Sequence, residues 1–143
     1  MMKKLIASAA AVLLFPAVVL AAGAELPVEV QTAQGIKYYN GGVGLGERAA
    51  MTQIFPLKVV LATEKGLYLN DADVKFIDSS GKEVLRVQAD NGPWLVADLP
   101  AGTYAVEATL EGTTVSARGI RIKEGSRRIT VLMWRTADVD MGL

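Results

Sequence analysis

Between residues 57 and 134 the chain consists of short segments that are either β-branched and apolar or alternate between apolar and polar residues. LKVVLAT, ADVKFID, EVLRVQA, WLVADL, TYAVEATL, TVSARGIRI and RRITVLMW follow one another, and segments such as SSGK and DNGP separate them. A period of two is typical of a β-strand with one buried and one exposed face. Strands spaced about every 8–12 residues between turn-forming residues predict an all-β fold, an antiparallel β-sandwich of about seven strands.

One segment departs from this pattern and predicts a short helix. In ERAAMTQI, residues 47–54, Ala50, Met51 and Ile54 recur at helical spacing. Glu47 stands near the start, where the helix dipole favours an acid. Pro56 follows and ends the helix. The sequence shows no strand–helix–strand pattern.

The first 24 residues have the pattern of a secretory signal peptide. Lys3 and Lys4 precede an apolar stretch, Leu5–Leu20, and Ala22–Ala24 supplies the small residues that signal peptidase requires. A retained anchor would need about 20 apolar residues, whereas this stretch is shorter and is interrupted by a proline. We expect cleavage after this tripeptide and a mature chain without a stable membrane anchor, located in the periplasm or the extracellular space.

The composition excludes several classes of function. The chain has no cysteine and no histidine, so Ser-His-Asp and Cys-His catalysis and zinc sites built on those ligands are excluded. Removal of the two N-terminal lysines leaves 13 of the 15 basic residues against 15 acidic ones, all dispersed. A nucleic-acid-binding protein would show a basic patch. We therefore expect no nucleic-acid partner and no cofactor. We also expect no metal, although the composition leaves calcium sites built from oxygen ligands open.

Residues 70–134 resemble the carboxypeptidase regulatory-like domain, which has a transthyretin-like β-sandwich. The motifs that carry the resemblance are DVKFIDSSG, GPW, LPAGTYAVEA and ITVL, and LPAGTY is the most specific of them. Many exported proteins with different functions contain such a domain, so the resemblance implies a fold rather than an activity. Relatives of transthyretin that hydrolyse 5-hydroxyisourate depend on histidines, which this chain lacks.

These observations predict one β-sandwich domain over residues 25–134. Residues 25–56 would form an N-terminal extension that contains the short helix, 57–134 the carboxypeptidase regulatory-like core, and 135–143 a flexible tail. Within the core, Pro100 and Gly102 favour a tight turn. We expect Tyr104 to enter the sandwich beside that turn, with its hydroxyl bonded back to the loop as in a tyrosine corner.

The segment YYNGGVGLGERAAM, residues 38–51, is the part that the sandwich explains least. It lacks the Lys-Ser/Thr of a phosphate-binding loop and the strand–helix–strand context of a dinucleotide site. Backbone amides ahead of a helix can bind an anion, but Glu47 stands where that anion would go. We interpret the four glycines as a structural connector outside the generic sandwich; they are Gly41, Gly42, Gly44 and Gly46.

A similar segment occurs in small uncharacterised exported proteins of Gram-negative bacteria, and no activity follows from that resemblance. Adjacent tyrosines in a strand point to opposite faces, so one of Tyr38 and Tyr39 should be exposed. Together with Glu47 and Arg48 they are the candidate residues for contact with a protein partner.

Other residues are candidates for binding a small ligand or a metal ion instead of a protein. Trp94 and Trp134 could stack on a sugar or a peptide, although such residues more often pack at the border of a core. Asn70, Asp71 and Asp73 could contribute oxygen ligands to calcium, but the pattern of a calcium-binding loop is absent.

The leading hypothesis is a non-enzymatic periplasmic β-sandwich that binds or supports another cell-envelope protein. The alternative is a carbohydrate- or peptide-binding module that uses exposed aromatic residues. A weaker alternative is a hydrolase that uses carboxylates alone.

Overall fold

A computed structural model describes residues 29–140; the expected signal peptide, residues 1–24, lies outside them. Nine strands, one α-helix and one 3-10 helix occur within the described range. The strands are β1 (Gln31–Ala33), β2 (Ile36–Gly41), β3 (Leu57–Thr63), β4 (Ala72–Asp78), β5 (Glu83–Ala89), β6 (Trp94–Ala97), β7 (Gly102–Leu110), β8 (Thr113–Ile122) and β9 (Arg128–Trp134). The helices are α1 (Leu45–Ile54) and a 3-10 helix (Thr136–Asp138).

The strands form two sheets that pack as a β-sandwich, as the sequence predicts. The five-stranded sheet has the order β9-β3-β6-β2-β1, and the four-stranded sheet has the order β5-β4-β7-β8. Neighbouring strands are antiparallel with one exception: β9 lies parallel to β3, with Val131 opposite Val60. The predicted number of about seven strands is wrong, because β1 and β2 add two strands to the five-stranded sheet.

The core lies between the sheets and is built from every second residue of most strands. Each fully buried Val, Leu or Phe side chain contributes about 1.5–3 kcal/mol relative to exposure. The largest fully buried side chains of the cluster between the sheets are Trp134, Phe76, Leu57, Leu61, Leu85, Leu95 and Leu132.

The segment expected as an N-terminal extension belongs in part to the sandwich itself. Strand β2 lies between β6 and β1, with Tyr38 opposite Ala97 and Asn40 opposite Leu95. The glycine segment therefore begins inside a sheet rather than outside the sandwich, because IKYYN supplies the aromatic residues that favour a strand.

Helix α1 begins at Leu45, two residues before the predicted start, and ends at Ile54 ahead of Phe55 and Pro56. The residue before a proline is disfavoured in helical conformation, which explains the end of the helix. Leu95 points into the core, so its neighbours Trp94 and Val96 point to the outer face of the five-stranded sheet. Arg48 of the helix lies over Trp94, which places α1 on that outer face.

The tail, expected to be flexible, is tied to the sandwich as far as residue 140. The backbone amide of Thr136 donates to Oε1 of Glu64 at 2.8 Å, and its hydroxyl bonds to the same oxygen. Val139 packs against the core. Residues 141–143 lie outside the described range. No helix within residues 29–140 is both long and apolar enough to span a membrane.

Candidate functional site

The carboxylate of Glu47 organises the glycine segment. Oε1 accepts hydrogen bonds from the backbone amides of Gly42 at 2.6 Å and Val43 at 2.9 Å, and Oε2 accepts one from the hydroxyl of Tyr39. Glu47 is the third residue of α1 and reaches back past Gly44, the N-cap, as the acid of a capping box does. The chain's own carboxylate thus occupies the backbone amides that an anion would use.

This arrangement shifts the titration of both side chains. Burial raises the pKa of Glu47, but the hydrogen bonds from Tyr39 and from the backbone amides outweigh it and leave the pKa below its usual value. Burial, the hydrogen bond to Glu47 and the negative charge of Glu47 together raise the pKa of Tyr39 to about 12. The pair is therefore held as a neutral phenol and a charged carboxylate.

Only two of the four glycines are sterically required. A Cβ on Gly41 would lie 2.5 Å from the ring of Tyr39 and 2.7 Å from the carboxylate of Glu47. Gly42 has φ +99°, and a Cβ there would lie 2.7 Å from Cγ of Trp94. No atom lies within 4 Å of a Cβ built on Gly44 or Gly46.

Buried Asn40, just before the first glycine, bonds the glycine segment to residues 91–94. Its side-chain amide donates to the carbonyl oxygens of Gly92 at 3.0 Å and Trp94 at 2.9 Å, while its oxygen accepts the amide of Asn91 at 2.8 Å. The segment is therefore a rigid element bonded to β6 and to the turn that precedes it.

Trp94 sits beneath two cations on the outer face of the five-stranded sheet. Nζ of Lys58 lies 3.8 Å from its ring centroid, and the guanidinium of Arg48 lies 5.3 Å from it. Arg48 also lies 4.8 Å from the ring of Tyr68 and donates from Nε to the carbonyl of Gly42 at 2.5 Å. Burial lowers the pKa of Lys58. The ring of Trp94 thus already serves as a platform for cations.

Trp134 is not a candidate for ligand stacking, which corrects the sequence prediction. Its side chain is 1% exposed, and Nε1 donates to the carbonyl of Thr113 at 3.0 Å. Trp134 belongs to the inward-facing set of β9 with Leu132, so the residue closes the core.

Tyr104 occupies the position expected for a tyrosine corner. The side chain is buried, and its hydroxyl donates to the carbonyl oxygen of Pro100 at 2.8 Å. Gly102 has φ +157° at the start of β7. The hydrogen bond thus ties β7 to the turn that precedes it.

The most unusual surface is the outer face of the five-stranded sheet. Ile129, Val131 and Met133 of β9 are 61%, 48% and 56% exposed. They stand beside three residues of β3 on the same face, and the pairs are Ile129 with Lys58, Val131 with Val60 and Met133 with Ala62. Tyr68, 47% exposed, lies opposite Ala62 on the other side. We call the face formed by Lys58, Val60, Ala62, Tyr68, Trp94, Ile129, Val131 and Met133 the outer apolar face. Its exposed side chains are Tyr68, Ile129, Val131 and Met133, whereas Val60 and Ala62 are buried.

A second exposed apolar element borders this face. Val43 and Leu45, at the tip of the glycine segment, are 76% and 83% exposed. Val43 and Tyr68 line the same surface groove of about 420 Å³. The rigid segment held by Glu47 therefore presents two apolar side chains to solvent at the border of the outer apolar face.

The outer face of the four-stranded sheet is polar. Lys75 lies 3.6 Å from Glu107, and Arg86 pairs with Asp73 at 2.5 Å. The hydroxyls of Thr109 and Thr114 lie 2.7 Å apart on adjacent strands. The two faces of one sandwich therefore differ in kind: one is adapted to water and the other exposes apolar side chains.

Two of the three residues considered for calcium, Asn70 and Asp73, are engaged in other contacts. Asp73 pairs with Arg86, which together with nearby positive charge lowers its pKa against the opposing effect of burial. Oδ1 of Asn70 accepts the amide of Gly92 at 2.9 Å. Within residues 29–140 no group of three or more acidic side chains is arranged to hold a metal ion.

No protein-family model, curated protein or solved structure matches this chain.

The structure brings together most of the predicted contact residues but gives them internal roles. Tyr38 and Tyr39 are both half-buried, and the Tyr38 hydroxyl donates to Gln31 at 2.9 Å. Glu47 and Tyr39 hold the loop, and Arg48 lies on two aromatic rings.

The sequence analysis did not single out the apolar side chains that are exposed on and beside the outer apolar face, or half-buried Lys58 among them. The exposed side chains are Val43, Leu45, Tyr68, Ile129, Val131 and Met133. The sequence of β9 could have indicated this exposed row. In RITVLMW the residues on both faces of the strand are largely apolar, and only one face can enter the core.

Proposed function

We propose that this chain is an exported, non-enzymatic β-sandwich that binds another protein of the bacterial cell envelope through its outer apolar face. Export rests on the signal-peptide pattern of the first 24 residues. In this proposal the sandwich belongs with carboxypeptidase regulatory-like domains, a placement supported by the hydrogen bond of Tyr104 to Pro100.

The observation that carries the binding function is the difference between the two sheet faces. The four-stranded sheet covers its outer face with charged and hydroxyl side chains. The five-stranded sheet exposes Ile129, Val131 and Met133 in one row. A contiguous exposed apolar patch on a soluble protein marks a surface that another molecule covers.

The carbohydrate- or peptide-binding alternative has less support. It needs an aromatic ring open to a ligand. Trp134 is buried, and the ring of Trp94 lies beneath Lys58 and Arg48.

The carboxylate-only hydrolase also has little support. It would need two acids that face each other across a cleft. In the groove lined by Asp71, Glu111 and Asp140, the carboxylate of Glu111 accepts the backbone amide of Asp140 at 2.8 Å.

Photo-crosslinking tests the proposal. Because the chain has no cysteine, a Val131→Cys variant can carry a single benzophenone-maleimide label on the outer apolar face. A Ser116→Cys variant places the same label on the exposed side of β8 in the opposite sheet. Each labelled protein is added to envelope fractions of the cells that produce it and illuminated.

We expect a discrete protein adduct from position 131 and none from position 116. Addition of Ile129→Asp should abolish the adduct, because a carboxylate on the apolar row opposes burial. Thr114→Asp, on the polar face, should leave it intact. Equal adducts from both positions, or no adduct from position 131, would contradict the proposal.

A further inference from the structure

Lys58 is the charged residue within the row formed by β9, β3 and β6 on the outer apolar face. It lies opposite Ile129 on one side and opposite Val96 on the other. Its Nζ rests 3.8 Å from the centroid of Trp94. The amine is therefore half-buried among apolar and aromatic groups, at the Ile129 end of the surface that a partner would cover.

Two cations on the outer face of the four-stranded sheet, in contrast, are paired with acids. Lys75, in the middle of the four-stranded sheet, faces Glu107 at 3.6 Å. Arg86, on the neighbouring strand, forms a two-point contact with Asp73 at 3.0 Å and 2.5 Å. Lys58 forms no ion pair with any side chain in the described part of the chain.

Two acids, one in α1 and one directly after β3, are engaged in other contacts. Both oxygens of Glu47 accept hydrogen bonds from Tyr39 and from backbone amides of the glycine segment. Glu64, at the end of β3, accepts two hydrogen bonds from Thr136. Neither carboxylate forms an ion pair with Lys58.

We propose that the partner presents a carboxylate, flanked by apolar side chains, that pairs with Nζ of Lys58 when the outer apolar face is covered. This inference rests on the proposed function. An ammonium group covered by a protein without a counter-charge would be strongly unfavourable, whereas a carboxylate at hydrogen-bond distance offsets the desolvation. Lys58 is then the residue that selects an acidic partner, and the row on β9 supplies apolar contact.

A protein carboxylate fits better than the two other occupants. A second copy docked across a two-fold axis close to Lys58 would bring two Lys58 side chains toward each other, which like-charge repulsion opposes. A membrane surface favours aromatic residues that project into the interface. Trp94 instead lies flat beneath Lys58 and Arg48.

Zero-length coupling tests the pairing directly. In the complex trapped from envelope fractions, a water-soluble carbodiimide activates a carboxyl group. The amine of Lys58 then forms an amide with it, and the water lost is taken up as the urea. We expect mass spectrometry to locate Lys58 joined to an Asp or Glu of the partner. Lys58→Arg keeps the charge but offers no amine for this coupling, so it should lose that product and keep the benzophenone adduct from position 131.

Two further variants complete the test. Lys58→Glu should reduce the adduct from position 131 by at least about fivefold, because it places like charges together. Lys75→Arg, on the opposite face, should leave both products unchanged.

The outcomes separate the two proposals. An adduct from position 131 that forms without Lys58 coupling, or that survives Lys58→Glu, overturns the carboxylate inference and leaves the proposed function standing. Coupling of Lys58 to a second copy of this chain, or recovery of lipid adducts alone, overturns the inference in favour of self-association or a membrane surface. Absence of any adduct from position 131 overturns both.

Discussion

The hydroxyl of Tyr39 donates a hydrogen bond to Oε2 of Glu47, and this contact joins strand β2 to helix α1. The other oxygen of Glu47 accepts two backbone amides, so one carboxylate satisfies three donors in a segment rich in glycine. Glycine loses more conformational freedom on folding than any other residue. The hydrogen bonds of the Glu47 carboxylate therefore hold in one conformation a segment whose glycines would otherwise leave it flexible.

Replacement of Glu47 by Gln should destabilise the protein. Hydrogen bonds to a charged group contribute about 1.5–3 kcal/mol, and Gln retains a single neutral acceptor, so we expect a loss of about 1–2 kcal/mol in the free energy of unfolding by urea at pH 7. Glu107→Gln breaks an exposed ion pair and should cost less than about 0.5 kcal/mol. Equal losses in the two variants would contradict the role of Glu47.

The hydrogen bonds of Glu47 also predict that the stability of the protein depends on pH in the acidic range. The folded pKa of Glu47 is lowered from its ordinary value of 4.5. A lowered pKa contributes stability above the unfolded value, and that contribution is lost as the pH falls through the folded value. The difference in stability between the wild type and Glu47→Gln should therefore be full at neutral pH and shrink below pH 4.5.

At alkaline pH, Tyr39 should be distinguishable from other tyrosines. Its pKa is raised from 10.0 to about 12, so the folded state holds a proton that the unfolded state has lost. This contribution to stability is present below pH 10 and disappears as the pH rises to about 12. Tyrosinate absorbance should show a component with a midpoint near 12 that Tyr39→Phe removes and Tyr38→Phe leaves in place. Burial raises the pKa of Tyr104 as well, so the contradicting result is a high-pH component whose amplitude is unchanged in Tyr39→Phe.

Alanine should have opposite effects at two glycines of the same segment. Gly42→Ala combines a positive φ with a Cβ 2.7 Å from the ring of Trp94, and we expect a loss of about 1–3 kcal/mol. Gly46→Ala lies in the first turn of α1 with open space around it and should gain up to about 0.5 kcal/mol through helix propensity. Thermal unfolding measures both, and a stabilised Gly42→Ala protein would contradict the close packing on Trp94.

Neighbouring residues of β9 should differ sharply in their effect on stability. Leu132→Ala removes a buried side chain and should cost about 2–5 kcal/mol. Val131→Ala removes a side chain that is 48% exposed and should cost less than about 1 kcal/mol. Urea denaturation measures both free energies. A large loss for Val131→Ala would show that this side of β9 is part of the core and would remove the basis of the outer apolar face.

Much of the fold is predictable because alternation is a local property. Segments such as ADVKFID and EVLRVQA place their apolar residues on one face wherever the strand is paired. The helix was also predictable, because an acid, helical spacing and Pro56 occur together. The sequence also indicates that Glu47 competes with an anion for the backbone amides ahead of the helix. Its hydrogen bonds to Tyr39 and Gly42 require the chain to turn back on itself between β2 and α1, which sequence spacing alone does not show.

The site was less predictable because it depends on which strands lie at the edge. RITVLMW has apolar residues on both faces, and a central strand with that pattern would be buried on both. Only the strand order places β9 at the edge of its sheet and leaves Ile129 exposed. The unpaired state of Lys58 is likewise a property of its neighbours across the sheet, none of which is close to it in sequence.

The parallel pairing of β9 with β3 has a consequence for how the chain folds. The 64 residues between Thr63 and Arg128 include the whole four-stranded sheet and β6, and all of them must be spanned before the two strands meet. Long-range pairing of this kind incurs its loop-closure entropy before its contacts form, and it is slow. Until β9, the last of the nine strands to be synthesised, is in place, the edge of β3 is open and Trp134 has not closed the core. A chaperone that shields this edge during that interval would therefore protect the protein at its most aggregation-prone moment.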